Sequence, residues 1–306
     1  MNGILVVDKP ANMSSARVVA IVKQTLKAAK AGHAGTLDPF AEGVLVCCIN
    51  QATRLAGFLL HGPKKYAAEL KLGQETDTQD LTGTVVSTAG VGEYSQQTIQ
   101  SVADSFKGFI EQVPPVYSAL KHKGVPLYKL ARRGQPVQKP PRQVQIYDIC
   151  VTGVDLPYIH FEVSCSAGTY IRTLGADIGR ELGCGGYLSA LKRIESSGFA
   201  LDQAISLSAF KDLAGRGSLS AKMIPMADAL PDMPEFFAED HLTARIRQGQ
   251  KLALSDLSGR DDAGKTGQAG GFLKIVDRER DLVAIVEQSK TDDRLTYCCV
   301  FPKPGT

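Results

Sequence analysis

The sequence predicts an α+β chain: a large domain on a mixed, mostly antiparallel sheet, followed by a small C-terminal β-barrel. Three observations lead there. Strand-like and helix-like segments mix without a regular βαβ repeat, which disfavours a doubly wound parallel sheet. Prolines 225, 231 and 234 among small residues mark a shift in composition and place a domain boundary near Leu230, giving 1–230 and 231–306. Beyond that boundary, residues 272–276, 282–287 and 297–301 are short β-like runs separated by turns.

Taken in order, residues 3–8 form an apolar run that stops at Lys9-Pro10, as a buried strand entering a turn does. Ser14 or Ser15 is placed to cap a helix reaching about Lys30, with Val18, Val19, Val22 and Leu26 on one face. Residues 32–45 hold three glycines and Pro39, which exclude regular structure across most of the stretch. A strand is expected over 43–50, a short helix over 53–60 and an alternating strand over 66–72. Residues 73–83 are polar, with Glu75, Asp77 and Asp80, and residues 84–88 read as another strand. A surface helix is predicted over 96–110 and is broken by Pro114-Pro115. Residues 144–154 and 158–166 read as a strand pair. Thr169 is placed to cap a helix from Tyr170 to about Leu182, and residues 187–199 carry β-type content. In the last quarter, a helix is predicted over 236–248 and a long Gly-rich loop over 258–271.

Composition narrows the class. Hydrophobic (43%) and charged (22%) fractions are those of an ordinary globular protein, and no apolar run approaches the ~20 residues of a membrane helix. With no signal-peptide pattern, a cytoplasmic protein is expected. Seven cysteines without a C-x-x-C suggest buried, reduced thiols, with neither a disulfide framework nor a metal site. The net charge is only +3, but residues 112–147 contain no acid and seven basic side chains: Lys121, Lys123, Lys129, Arg132, Arg133, Lys139 and Arg142. With Tyr117, Tyr128 and Tyr147 interleaved, that segment reads as an extended or partly helical excursion that binds a polyanion and stacks on bases.

One acid stands in the middle of the glycine-rich stretch. Asp38 is followed by Pro39, which biases its backbone away from the α region. By itself Asp-Pro reads as a turn. The surrounding pattern His33-x-Gly35-Thr36-Leu37-Asp38-Pro39-x-Ala41-x-Gly43-x-Leu45 resembles the active-site signature of the TruB family of bacterial tRNA pseudouridine-55 synthases. Four further blocks match in order. They are Val7-Asp8-Lys9-Pro10 through Ser15; Lys65-Tyr66 through Leu72-Gly73, Thr76-Asp77-Thr78 and Asp80; Gln112-x-Pro114-Pro115-x-Tyr117-Ser118-Ala119-x-Lys121; and Gly168-Thr169-Tyr170-Ile171-Arg172 through Leu191 and Arg193. Met13 departs from the family pattern. The likeness is dense over residues 1–200 and thin beyond.

The resemblance implies a pseudouridine synthase fold with an RNA-gripping thumb at about 112–147 and a PUA-like C-terminal module. It implies isomerisation of the T-loop uridine of tRNA, with Asp38 as nucleophile and no cofactor, metal or protein partner, in a monomer. Tyr66 is expected to stack on the everted uracil and help move the C5 proton. Tyr170 and Leu191 are expected to line the pocket, and His33 to fill the place the base has left. Lys9 supports the loop, Asp80 orders the pocket, and Lys121, Lys123, Arg132 and Arg133 hold RNA. Arg172 carries an argument of its own. A cation in the first turn of a helix opposes the macrodipole and calls for a compensating anion, for which Asp38 is the candidate.

The C-terminal segment, with 11 basic and 13 acidic residues from Asp232 onward, does not look like a phosphate surface. Arg245 and Arg247 are its local basic cluster, and buttressing the catalytic domain is an equal reading. A rival for the whole chain is an RNA-binding or tRNA-folding module that everts a base without turnover. It needs the thumb and His33 but not Asp38. Guide-dependent relatives of the family usually carry basic tails, and no such tail stands in this sequence.

Overall fold

The computed structural model describes residues 1–257, 271–289 and 293–303; the predicted loop at 258–271 lies outside them but for Gly271. Strand β1 (Gly3–Lys9) is buried almost throughout because both faces are covered. It pairs antiparallel with β3 (Glu42–Ile49), which also carries the short β2 (Ala31–His33) on its edge. Between β1 and β2 runs α1 (Ser15–Thr25), with Ser14 as the cap that accepts from the Arg17 N–H. The helix stops five residues short of the predicted end, since Lys27 turns left-handed at φ 48°. A 3₁₀ turn over Asn50–Leu55 and helix α2 (Ala56–Leu60) follow β3.

Strand β4 (Lys64–Leu72) alternates strictly between buried and half-buried residues, as a strand covered more fully on one face does. The acidic stretch after it holds a hairpin of β5 (Gln74–Thr76) and β6 (Val85–Thr88). Helix α3 covers only Gln96–Asp104 of the predicted 96–110. Gly108, at φ 95°, redirects the chain, and β7 (Gly108–Gln112) becomes an edge strand with Phe109 and Glu111 turned outward. The basic excursion contains a small hairpin, β8 (Lys121–His122) with β9 (Val125–Pro126), and the one-turn helix α4 (Leu127–Ala131). It ends earlier than expected, because β10 (Arg142–Asp155) already begins at Arg142.

Strand β11 (Tyr158–Cys165) returns beside β10, and α5 (Ile171–Glu181) follows. Tyr170, not Thr169, caps α5; the Thr169 hydroxyl donates to the Ser166 carbonyl instead. Strand β12 (Gly186–Ser196), the short β13 (Phe199–Ala200) and β14 (Ile205–Ser206) complete a ten-stranded sheet. Its order is β14-β1-β3-β12-β4-β11-β10-β7, with β2 and β13 off the path. The contacts β1–β14 and β3–β12 are parallel and the rest antiparallel, a mixed, mostly antiparallel sheet as the sequence predicts. Helix α5 seals one face of the sheet through Ile171, Leu174 and Ile178 against Leu70 and Leu188. Helix α1 and α6 (Leu207–Gly215) seal the β1–β3 end through Val18, Val22 and Phe210.

A second sheet of five strands curls into a half-barrel of the PUA-like kind. Its order is β15 (Glu235–Phe237), β17 (Phe272–Val276), β18 (Leu282–Gln288), β19 (Arg294–Val300) and β16 (Leu252–Ala253). The first residues of the predicted 236–248 helix are this edge strand, and α7 occupies Asp240–Arg247. One hydrophobic cluster joins the two sheets: Ile4, Ala34 and Val44 pack with Val276, Ile285 and Phe301. Arg245 and Arg247 pair with Asp256 and Asp277, so neither charge is left to meet a phosphate. All seven cysteines are free thiols; Cys150 and Cys298 are exposed, contrary to the expectation of burial. Among the described residues, no helix is long and apolar enough to cross a membrane.

Candidate active site

Asp38 sits on irregular backbone between β2 and β3. Three buried side chains clamp that backbone from below. The Ser15 hydroxyl donates to the Leu37 carbonyl at 3.0 Å and accepts from the Leu37 N–H at 2.8 Å. The Lys9 ammonium donates to the carbonyls of Pro10, Met13 and Pro39 at 3.0, 2.6 and 3.1 Å. Arg193 donates to the Gly35 carbonyl at 3.0 Å and the Val44 carbonyl at 2.7 Å. Gly43 lies where β3 meets β12, at φ 98°, and a Cβ there would stand 2.2 Å from the Arg193 carbonyl oxygen. Only glycine fits that crossing.

Arg172 meets the acid from the first turn of α5. Its Nε lies 2.9 Å from Asp38 Oδ2, and Nη2 donates to Oδ1 at 3.4 Å. Nη1 lies 3.2 Å from Asp80 Oδ2 and donates to the Thr78 carbonyl at 2.6 Å, while Nη2 also donates to the Tyr117 carbonyl at 2.9 Å. The side chain of Arg172 is 3% exposed, and that of Asp38 is 34% exposed. The carboxylate is therefore open to a nucleotide while the guanidinium that aims it is sealed beneath. Burial pushes the Asp38 carboxyl above the usual carboxylate range; Arg172 pulls it down, and Asp80 adds to the upward push. Asp80 is no surface acid. It is 4% exposed, and its Oδ1 accepts from the Thr82 N–H and from the Thr78 and Thr82 hydroxyls.

Tyr66 on β4 and Leu191 on β12 share a buried cluster with Leu37, Phe40 and Ala41 of the Asp38 loop and Ile171 of α5. Burial raises the Tyr66 pKa, opposed by the Arg193 guanidinium beside its hydroxyl. Tyr170, two residues before Arg172, has its ring under the Arg142 guanidinium at 4.8 Å. His33 ends β2 rather than lying in a loop; burial and the nearby Arg193 charge lower its pKa, and its Nδ1 is buried without a hydrogen-bond partner. Lys9 is completely buried with its ammonium saturated by carbonyls, so it holds the loop and cannot reach RNA. Burial lowers its pKa to about 8. Lys121, Lys123, Arg132 and Arg133 are all exposed on the excursion. Arg142, counted with them in the sequence, is instead engaged with the Gly168 carbonyl and Tyr170.

Four contributors escaped the sequence reading. Ser15 reads as an alternative cap, yet its hydroxyl is the Leu37 clamp. Gln112 is 1% exposed and grips Tyr170 by both backbone groups, accepting from its N–H at 2.7 Å and donating to its carbonyl at 3.0 Å. Tyr117 brings the basic excursion to Arg172 through a backbone carbonyl, which no side-chain pattern announces. Arg193 stood within a matching block without a role. Its place two residues after Leu191, on the same face of a strand, is the usable signal.

Known proteins match this chain in sequence and fold. The family model for the N-terminal domain of TruB family pseudouridylate synthases matches residues 23–171, and that for the tRNA pseudouridylate synthase B C-terminal domain matches residues 172–230. A tRNA pseudouridine synthase B of Geobacter sulfurreducens is 42% identical over 287 residues, covering 94% of this chain and 93% of its own. Its counterpart in Syntrophus aciditrophicus is 44% identical over 295 residues, covering 96% and 94%. Among solved structures, a crystal structure of a Cbf5–Nop10–Gar1 complex superposes with a TM-score of 0.74 at 26% identity, covering 98% of this chain and 84% of that one. An H/ACA RNP bound to a substrate RNA containing 2′-deoxyuridine gives 0.73 at 25% identity, covering 99% and 86%. Fold and site together define a pseudouridine synthase. Within that class, the chain belongs to the TruB family.

Proposed function

We propose that this enzyme converts the T-loop uridine at position 55 of tRNA to pseudouridine, as a cytoplasmic monomer that needs no cofactor, metal or protein partner. The observation that carries the reading is the partly open Asp38 carboxylate held on a sealed guanidinium beside Tyr66 and Leu191. Residues 1–230 supply the chemistry, with the thumb at about 112–147, and 231–306 form a PUA-like module that buttresses them.

The isomerisation breaks the bond from uracil N1 to ribose C1′, turns the base and joins C5 to C1′. The C5 proton leaves and N1 gains one, so composition is unchanged and no oxidant or co-reactant is required. Asp38, ionised, is the nucleophile that carries the reaction while the base is detached. One acid suffices because the departing uracil is a delocalised anion. Arg172 aims Asp38, and Asp80 holds Arg172. The Tyr66 ring stacks on the everted base and its hydroxyl moves the C5 proton; Tyr170 and Leu191 close the pocket. His33 occupies the vacated stack, which otherwise loses about a few kcal/mol. Exposed Lys121, Lys123, Arg132 and Arg133 neutralise phosphates of the T stem-loop. Incubating unmodified tRNA with the purified protein alone and mapping pseudouridine at nucleotide resolution tests the reading. Pseudouridine at position 55 is expected, and an unchanged tRNA would overturn it.

A further inference from the structure

Arg193 is 1% exposed and heads the fully buried side chains by volume. No carboxylate lies within ion-pair distance of it among the described residues. Its charge is met by two carbonyl oxygens, those of Gly35 and Val44. These two carbonyls bracket Asp38, one on each arm of its loop. Across the sheet, Arg193 is the register partner of Tyr66, whose hydroxyl its guanidinium adjoins. Its charge also bears on Lys9, Lys64 and His33, lowering the proton affinity of each.

Tying two carbonyls together does not need a charge; a neutral amide side chain, with two N–H donors, serves. A buried cation with no carboxylate at ion-pair distance among the described residues, close to the buried Lys9 and Lys64, is a costly arrangement. It is explained if the positive charge acts on a group that turns negative during the reaction. Resting on the function proposed above, we infer that Arg193 is a positioning residue for the isomerisation: it fixes both arms of the Asp38 loop and, as the cross-strand partner of Tyr66, sets a positive charge beside that residue, favouring the Tyr66 oxygen as it takes up negative charge. Arg193 acts through Asp38 and Tyr66 rather than on the base itself.

The conservative variant Arg193→Lys separates this role from simple packing. An ammonium keeps the charge but, as one nitrogen, cannot span the Gly35 and Val44 carbonyls as the fork does. Single-turnover isomerisation, tRNA affinity and thermal unfolding are measured for Arg193→Lys, Arg193→Gln, Tyr66→Phe and the double variant Arg193→Lys/Tyr66→Phe. Arg193→Lys is expected to unfold cooperatively and bind tRNA within about threefold of wild type, while its rate constant falls at least about thirtyfold. Arg193→Gln, without the charge, falls further. In the Tyr66→Phe background the Arg193→Lys loss shrinks at least about threefold, since part of it runs through that hydroxyl. An Arg193→Lys rate within threefold of wild type, strict additivity with Tyr66→Phe, or failure of both Arg193 variants to fold overturns the inference. A wild-type protein that forms no pseudouridine overturns the proposed function as well, whereas an active wild type with an equally active Arg193→Lys overturns this inference alone.

Discussion

Replacing Arg172 by lysine keeps a positive charge in the site and removes the fork. The guanidinium reaches five acceptor atoms: both oxygens of Asp38, Asp80 Oδ2 and the carbonyls of Thr78 and Tyr117. An ammonium has three donors on one compact nitrogen, so at least two of these contacts are lost. Because the side chain is 3% exposed, water does not fill in freely for them. A hydrogen bond to a charged group contributes about 1.5–3 kcal/mol. If the two carbonyls and Asp80 keep the ammonium, Asp38 loses its aim, and that loss taken up in the transition state slows isomerisation roughly 10- to 150-fold. Tritium release from tRNA labelled at uridine C5, with enzyme in excess, reads the chemical step, and filter retention reads affinity. A slower step with affinity held is the expected result. Turnover within threefold of wild type would refute the positioning argument, because a point charge would then serve as well as a fork.

Other consequences can be measured alongside. Burial raises the Asp38 carboxyl pKa, so its ionised form disappears as pH falls through a value above the ordinary Asp figure of about 3.9, and the acid limb of the single-turnover rate is expected there. By the same sign, ionised Asp38 opposes folding above that pKa; Asp38→Asn should melt no lower than wild type at pH 7, and a clearly lower melting temperature would contradict the shift. Ser15→Ala leaves the Leu37 N–H and carbonyl without their shared partner, which should lower unfolding free energy by about 1–3 kcal/mol in a denaturant titration. Removing Lys121 or Arg132 should weaken tRNA binding and reduce the slope of log affinity against log salt by about 1 each; an unchanged slope would exclude a phosphate contact.

What the sequence revealed and what it hid follow from the range of the interactions. The irregular backbone around Asp38 was legible because glycine and proline act locally, and Arg172 because a first-turn cation is an electrostatic oddity that needs an anion. In the sequence, strand β7 reads as the tail of a helix because Phe106 and Ile110 fit a helical face, whereas Gly108 turns the chain there. The clamps were harder to see. Lys9, Asp80 and Arg193 belong to residue types that normally face water, and their burial depends on carbonyls and guanidinium groups supplied from elsewhere in the chain. Ser15 looked like a helix cap because the partner that matters, Leu37, is brought to it by tertiary folding. The shared cluster of Ala34, Val44, Ile285 and Phe301 shows a C-terminal sheet packed against the strands that flank the loop, a contact between segments too distant for any local pattern to announce.

A half-open aspartate carries the charge that drives the rearrangement, and the Asp38→Asn protein asks about that charge alone. Mixed in excess with unmodified tRNA, it should bind with wild-type affinity and yield no pseudouridine at position 55 while wild type converts it. Measurable conversion by Asp38→Asn would contradict the central claim.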